Sequence, residues 1–281
     1  MSRRPRGGQE DLKTRKNRLA LVCLAVACAL VAGAPSGAGA NAAEDLGKAK
    51  EKGRVAFVLV TEPGAAGVEE AEGVVRDAVR KAGNAVMVRL DRRAAENTAL
   101  VSRYRISGPQ IPLVLVIVPN GAVAGGILAN ELTTDRLLGM IPSRCEAEIM
   151  KAVQAGQGVL VVAARRGVAG TDDVLDSCER ARTLSGGKLA IVRLDLDDPK
   201  EQRFITRNWA DASPDTPVTV VFNSRGQPTG VFVGPVEPSA LVSASAKTAG
   251  GCCPGGRKGT AACAPAAGGK APAAYVIPTK P

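Results

Sequence analysis

The sequence predicts a mixed α/β fold that is built twice within one chain of 281 residues. Three observations lead to this prediction: a long internal repeat, short apolar runs next to glycine, and pairs of strands joined by turn-forming residues. Domains commonly hold about 100 to 150 residues, so the chain has room for two small cores. Aromatic residues make up only 2% of the chain, so Val, Leu, Ile and Ala must form those cores.

The internal repeat appears when the chain is compared with itself. Three pairs of stretches match, at offsets of 103, 104 and 105 residues: 53–79 with 158–182, 88–91 with 192–195, and 111–129 with 216–234. A repeat of this length indicates two copies of one folded unit. We place the copies at residues 43–142 and 143–245 and name them the first and second modules.

Each module is predicted to run helix, strand, helix, strand, helix, strand, strand, helix. The apolar runs at 57–60 and 159–162 are short and continuous, which is typical of buried central strands. Turn residues at 119–121 and 223–226 predict a hairpin near the end of each module. Ser143 and Glu146 have the spacing of a capping box, and Thr171 is expected to cap the long helix of the second module.

This order of elements, with Ile111 and Pro112 directly before the hairpin, resembles the thioredoxin fold. The resemblance spans residues 43–142 and 143–245, which is nearly all of the mature chain outside the tail, and implies a mixed central sheet flanked by helices in each module. In that family the proline before the hairpin is cis and lies beside a redox-active pair of cysteines. The matching positions here are Pro112 and Pro217.

The redox motif of the family is absent from both modules. In thioredoxins the Cys-x-x-Cys motif stands at the start of a helix, where the thiolate is stabilised. The corresponding segments here, which we name the junction loops, are residues 61–67 and 164–170, and neither contains cysteine. Cys178 falls on Val75 of the first module, so we expect a buried, inert thiol. A disulfide between Cys145 and Cys178 is the alternative in an oxidising compartment.

The fold resemblance implies a surface that could still bind an extended polypeptide without a dithiol. We define this peptide-binding surface by eight residues: Pro63, Gly64, Ile111, Pro112, Arg165, Arg166, Thr216 and Pro217. Two arginines at a helix start could also attract an anionic group, or they could simply be solvated loop residues. The acidic pairs at 69–70 and 172–173 fit the first turns of helices better than a catalytic site.

The charge and the missing histidine exclude several functions. Residues 1–20 carry seven basic and two acidic groups, and residues 246–281 carry five basic and no acidic groups. Residues 21–245 are therefore neutral overall, with 25 basic and 25 acidic groups, and offer no general attraction for nucleic acid. The chain has no histidine, so catalytic sites that need imidazole are excluded.

The first 42 residues have the three parts of a secretory signal. A basic segment precedes an apolar run at 19–34, and small residues follow it, with cleavage expected after Ala40 or Ala42. The apolar run is short for a membrane span. An uncleaved anchor and lipidation at Cys28 are the alternatives. We therefore expect a periplasmic or secreted location in a bacterium, or a membrane-anchored protein that faces outside the cytoplasm.

The last 36 residues, 246–281, are rich in Gly, Ala, Pro and Lys and are expected to form a flexible tail. Its three thiols, Cys252, Cys253 and Cys263, could bind a soft metal such as Cu(I), bind Zn(II) with a further ligand, exchange with disulfides, or form disulfides themselves. The spacing matches no Cys-x-x-Cys pair. We expect no cofactor other than copper or zinc on these thiols.

The sequence thus favours an exported, redox-inactive protein with two thioredoxin-like modules that binds or scaffolds other envelope or secreted proteins. The alternative is a thiol-disulfide oxidoreductase or metal-handling protein whose reactive thiols lie in the tail. Contact with a membrane is expected only through an uncleaved signal segment. Nucleic acid is not an expected partner.

Overall fold

Both modules contain the elements in the predicted order. The computed structural model describes residues 41–108, 110–208 and 215–248. The helices are α1 Ala42–Glu51, α2 Val68–Ala82, α3 Thr98–Tyr104, α4 Thr134–Gly139, α5 Arg144–Gln154, α6 Thr171–Leu184, α7 Gln202–Asn208 and α8 Pro238–Ala246. The strands are β1 Val55–Thr61, β2 Ala85–Asp91, β3 Leu113–Ile117, β4 Val123–Leu128, β5 Gly158–Ala164, β6 Leu189–Asp195, β7 Val218–Phe222 and β8 Pro228–Val233.

Two four-stranded sheets form the centre of the molecule. Their strand orders are β2-β1-β3-β4 and β6-β5-β7-β8. In each sheet the first two strands in sequence are parallel, and the other pairs are antiparallel. A parallel pair crossed by a helix and followed by an antiparallel hairpin is the topology expected from the sequence. The predicted fold class, two tandem thioredoxin-like domains, is therefore confirmed; the tail lies outside the described residues.

The burial of the strands explains their apolar runs. All five residues of β3 and of β7 are buried, and so are the first six residues of β1 and of β5. These strands lie at the centres of the sheets and have helices on both faces, so their side chains are almost all apolar, with the buried Thr219 of β7 as the exception. The edge strands β4 and β8 are only partly buried.

The helix starts agree with the sequence in one case and differ in another. Ser143 and Glu146 form the predicted capping box of α5, with hydrogen bonds of 3.2 and 2.9 Å. The expected cap at Thr171 is wrong: Gly170 is the N-cap of α6, and Thr171 donates its hydroxyl to the Val168 carbonyl. The backbone of Gly170 has φ 80°, so the chain enters the helix from the left-handed region, which favours glycine.

The hydrophobic core is continuous across the two modules. One cluster of buried residues includes Phe57 and Val75 of the first module together with Ile149, Val161 and Phe204 of the second. Two further clusters cover the opposite face of each sheet. The chain length predicted two separate cores. The structure instead has one cluster that both modules share and two clusters that are each confined to one module. Helix α5 accounts for the sharing, because it packs against β4 as well as against β5 and β6.

Hydrogen bonds reinforce the contact between the modules. The side chain of Asn120, in the first hairpin turn, donates to the Ala147 carbonyl of α5 at 2.7 Å. The side-chain amide of Gln154 accepts from the Val123 amide at 3.0 Å and donates to the Val123 carbonyl at 2.7 Å. These bonds fix α5 to the start of edge strand β4. The second module is thus bound directly to the hairpin of the first.

No helix in the described part of the chain combines the length and apolar character of a membrane span. The apolar run at 19–34 lies outside the described residues. Helix α1 begins one residue before the predicted module boundary: Asn41 caps it by accepting from the Ala43 amide at 3.2 Å, and Ala42 is fully buried. Asn41 and Ala42 therefore form part of the folded first module.

Candidate functional site

The junction loops have the same backbone conformation in both modules. Gly64 and Gly67 have φ of 79° and 76°, and the matching Gly167 and Gly170 have 74° and 80°. Each loop leaves the end of a central strand and turns into the long helix that crosses to the next parallel strand. Because a side chain would strain this left-handed backbone, the paired glycines identified by the repeat are required by the loop geometry.

The register of the first sheet brings the predicted peptide-binding residues of the first module to one edge. Val60 of β1 lies opposite Leu113 of β3, so Pro112 follows the same edge as Thr61. Pro63 and Gly64 are exposed there, Ile111 is half-buried and Pro112 is buried. The peptide bond between Ile111 and Pro112 is cis, as the resemblance implies.

The second module repeats this placement with one difference. Ala163 lies opposite Val218, which puts Pro217 beside the end of β5. Thr216 is exposed and Pro217 is buried. Among the described residues only the bond before Pro112 is cis, so the expectation of a second cis proline at Pro217 is wrong.

The difference is confined to that one peptide bond. The carbonyl of Pro112 accepts from the Ala129 amide at 2.9 Å, and the carbonyl of Pro217 accepts from the Gly234 amide, also at 2.9 Å. In both modules, therefore, the end of the second hairpin strand is bonded to the carbonyl of the proline itself. Nothing in the structure explains why the preceding peptide bonds differ.

The arginines of the second junction loop are exposed and paired with aspartates. The Arg166 side chain lies 3.2 Å from Asp195, and the Arg165 side chain lies 3.8 Å from Asp197. The backbone amide of Arg166 also donates to Asp197 at 3.2 Å. These arginines line a cavity of about 770 Å³ at the start of α6. Since both cations already face carboxylates, the structure favours loop stabilisation over an open anion site.

The first module has the same connection with the charges exchanged. Glu62 in the junction loop accepts hydrogen bonds from Arg92 at 2.7 Å and from Arg93 at 3.0 Å. The bond from Arg92 lowers the pKa of the Glu62 carboxyl, and Arg93 lowers it further, against an opposing effect of desolvation. Because Glu62 matches Arg165 and Arg93 matches Asp197, we name these two connections the charge-swapped clamps.

Sequence reasoning missed the charge-swapped clamps although the repeat contained the signal. Opposite charges occupy both matched pairs of positions, at offsets of 103 and 104. Each first residue follows the end of a central strand, and each second residue lies two places after the end of the neighbouring parallel strand. Parallel strands end at the same edge of a sheet, so these positions must lie close together.

The two described cysteines are free and buried. Cys145 belongs to the shared cluster with Val159 and Val161, whereas Cys178 belongs to the cluster with Leu160 and Val162. Successive residues of a strand point to opposite faces, so the second sheet separates the two thiols. The alternative of a disulfide between Cys145 and Cys178 is therefore wrong.

Both thiols are held in their protonated, unreactive form. Burial raises the pKa of Cys178 to about 11, although the Thr219 hydroxyl, 4.0 Å from its sulfur, lowers it slightly. Burial also raises the pKa of Cys145 well above its ordinary value, and the nearby Glu201 carboxylate raises it further. The thiolate is the nucleophile in disulfide exchange. Cys178 thus behaves as the inert core thiol that its match with Val75 predicts.

The remaining expected sites lie partly outside the described residues. The acidic pairs occupy the first turns of α2 and α6 and are exposed, which is where the helix dipole favours carboxylates. Within the described residues no group of His, Cys, Asp and Glu side chains is arranged to hold a metal ion. Cys252, Cys253 and Cys263 lie outside the described residues, so the metal and redox roles expected of the tail stay predictions.

Comparison with known proteins gives neither a family nor a curated relative. No protein-family model matches the chain, and no curated protein matches it. Solved structures do match, at low identity. The zinc-bound form of human ERp44 is 12% identical with a TM-score of 0.33, over 72% of this chain and 57% of that one.

Two further solved structures match at a similar level. The first two thioredoxin domains of Naumovozyma dairenensis Eps1p are 10% identical with a TM-score of 0.25, over 71% of this chain and 94% of that one. The NTD_N/C domain of the alkylhydroperoxide reductase AhpF from Enterococcus faecalis is 12% identical with a TM-score of 0.25, over 72% and 97%. The strand order within each sheet, and not these likenesses, defines the fold.

Proposed function

We propose that this chain is an exported, redox-inactive protein whose two thioredoxin-like modules bind or scaffold other envelope or secreted proteins. One observation carries the proposal: in both modules the junction loop leads from the central strand into the long helix, the place where the resembled family has its redox cysteines, but it contains no thiol. The two cysteines within the modules are buried and have raised pKa values. The surface that remains can offer backbone groups and apolar contact, but no thiol.

The peptide-binding surface has features that suit an extended polypeptide. Helices α2 and α6 begin at glycines and have no side-chain cap, so amides of their first turns have no side-chain partner at the cap. A peptide carbonyl could accept a hydrogen bond from these groups. Half-buried Ile111 provides apolar area beside Pro63, and exposed Thr216 lies at the matching place in the second module. Backbone bonding with shallow side-chain contact is the usual mode for extended peptides.

The proposal on export includes a cleavage position. Cleavage after Ala40 leaves the cap of α1 intact, whereas cleavage after Ala42 removes Asn41 and the buried Ala42. We therefore expect the mature protein to begin at Asn41. Amino-terminal sequencing of the protein recovered from the periplasm or culture medium tests this expectation. A chain that keeps residues 1–40 would instead support a membrane anchor.

A site-specific photocrosslinking experiment tests the binding role. A benzoylphenylalanine at Pro63 should crosslink envelope proteins, while the same probe at Lys81, exposed at the far end of α2, should not. Equal crosslinking from both positions, or none from Pro63, would contradict the proposal.

An insulin-reduction assay tests the redox part. We expect no disulfide reduction by the full chain, because its module thiols are buried. If activity is found and the combined change of Cys252, Cys253 and Cys263 to Ser removes it, the thiols of the tail carry the function. That result would replace redox inactivity by the oxidoreductase alternative.

A further inference from the structure

A cleft at the boundary between the modules has no counterpart in the sequence predictions. Its cavity measures about 320 Å³ and lies between three elements: the end of α3, the turn of the first hairpin, and one side of α5. Arg103, Tyr104 and Arg105 come from α3 and its C-cap, and Lys151 comes from α5. The site exists only because the second module packs on the hairpin of the first.

The walls of this cleft are fixed by hydrogen bonds within the protein. Asn120 is bound to Ala147, and Gln154 is bound twice to the backbone of Val123, so these amide side chains hold the hairpin turn to α5. Their polar atoms are therefore committed to the architecture. The cleft is also lined by basic side chains, which supply its charge.

A second cavity of about 270 Å³ extends the cleft. It shares Arg103, Tyr104, Asn120 and Gly121 with the first and adds Lys50 and Arg54. The two cavities together make one elongated groove, which we name the inter-module groove. Its floor is apolar, with Leu46, Leu100, Ile117, Val118, Ala122 and Val123 among the lining residues. An elongated shape suits a chain segment better than a single small ion.

The charge of the inter-module groove is of one sign. Five basic residues line it: Lys50, Arg54, Arg103, Arg105 and Lys151. No Asp or Glu of the described part of the chain lines either cavity. This imbalance is local, because residues 21–245 carry equal numbers of basic and acidic groups. Basic groups concentrated in a concave, partly apolar site raise the local attraction for anions.

Two of these cations are available to a ligand. Within the described residues Arg103 and Lys151 form no ion pair, and both are exposed. The Arg103 guanidinium lies 5.6 Å from the centre of the Tyr104 ring, a cation–π contact that restrains the side chain. Arg103 is therefore pre-oriented and costs less entropy to immobilise than a free side chain.

We infer that the inter-module groove binds an acidic polypeptide segment that also carries apolar side chains. Carboxylates of the segment would pair with Arg103 and Lys151 from the two modules, and its apolar side chains would contact the floor. A nucleic acid fits less well, because Tyr104, the one aromatic residue among the described residues that line the groove, is only 8% exposed and gives no stacking platform. This site is separate from the junction loops, so the inference stands or falls independently of the proposed function.

Fluorescence anisotropy with the full chain tests the inference. The probe is a labelled glutamate-rich peptide with interspersed leucines, and the comparison ligands are a glutamate-only peptide and a single-stranded oligonucleotide. Arg103→Gln with Lys151→Gln should weaken binding of the probe about tenfold. The matched control, Arg180→Gln with Lys188→Gln, removes the same charge from exposed positions outside the groove and should leave binding unchanged. Circular dichroism confirms that both variants are folded.

The outcomes divide clearly. Two results support an acidic segment with apolar side chains. The first is a loss of probe affinity in the Arg103→Gln, Lys151→Gln variant but not in the control variant, and the second is weaker binding of the glutamate-only peptide than of the probe. Equal affinity in the two variants would overturn the inference, since the probe would then be held by basic groups elsewhere, such as residues 1–20 or the tail. Tighter, groove-dependent binding of the oligonucleotide would overturn the choice of a polypeptide.

Discussion

In both modules an ion pair joins the junction loop to the loop that follows the neighbouring parallel strand. The acidic and basic partners of this pair are exchanged between the modules. In the first module a glutamate, Glu62, accepts from arginines, and in the second module arginines face Asp195 and Asp197. The backbone around each connection is the same: the Arg92 amide donates to Thr61 at 2.9 Å, and the Leu196 amide donates to Ala164 at 3.0 Å. The position is thus shared and the sign is not.

This comparison shows what the fold requires at that place. Parallel pairing of the strands sets the distance between the two loops, because Thr61 lies opposite Asp91 and Ala164 lies opposite Asp195. Any pair of opposite charges at that distance can join the loops, whichever loop carries the acid. The sign of the charge at this surface can therefore differ between modules while the backbone of the loop stays the same.

The shared core gives the first and largest test of how far the modules are independent. Ile149→Ala should lower the free energy of unfolding by about 2 to 5 kcal/mol, because it leaves a cavity in the fully buried shared cluster. Hydrogen exchange should increase in both modules. Leu241→Ala is the matched control, since Leu241 is equally buried but belongs to a cluster confined to the second module. If Ile149→Ala, like Leu241→Ala, leaves hydrogen exchange in the first module unchanged, the modules do not share stability.

The matched positions Val75 and Cys178 give a second test, through pH. Both side chains are fully buried, but only the thiol can ionise. The pKa of Cys178 is raised from 9.0 to about 11 in the folded protein. Its protonated thiol is therefore compatible with the fold below pH 9, and stability falls between pH 9 and 11, where only the unfolded chain releases the proton.

Replacing Cys178 by Val should remove this pH dependence. The loss attributable to the thiol is about 2 kcal/mol by pH 11 and approaches about 3 kcal/mol, two pKa units at about 1.4 kcal/mol each, only at higher pH. Denaturant unfolding of wild type and Cys178→Val at pH 8 and pH 11 measures it, and the difference between the two proteins cancels the titration of other groups. If the free energy of unfolding changes equally in the two proteins between pH 8 and pH 11, the thiol is not held protonated by burial.

The smallest expected effect comes from exchanging the charges of a clamp. Arg165→Glu and Asp197→Arg should each destabilise the second module, because each places like charges together. The double change should restore stability, because it copies the polarity of the first module. Exposed pairs contribute about 0.2 to 1 kcal/mol, so the cycle must be measured by chemical unfolding at low salt. Additive single effects, without recovery in the double variant, would show that the pair does not interact.

Much of the fold followed from short-range patterns. The hairpin turns and the capping box at Ser143 were predicted correctly, because each depends on residues close together in sequence. The cap at Thr171 was predicted wrongly. Thr171 is a good capping residue, but the left-handed Gly170 starts the helix one residue earlier and leaves Thr171 inside its first turn.

The candidate sites were predictable only in part. Register places Pro112 and Pro217 beside the junction loops, which the repeat and the fold resemblance together implied. The inter-module groove could not be foreseen, because Arg103 and Lys151 lie far apart in sequence and belong to different modules. Nothing in the local sequence of either residue indicates that the other is near.

The sequence by itself determined the duplication, the order of helices and strands, and the loss of cysteine from both junction loops. These properties are local or repeated, so residue type and spacing were enough to define them. Only the tertiary structure decided that α5 joins the two modules into one core, that the second sheet separates Cys145 from Cys178, and that five basic residues line one groove. Such contacts depend on how whole elements pack, which the periodicity of a single element does not specify.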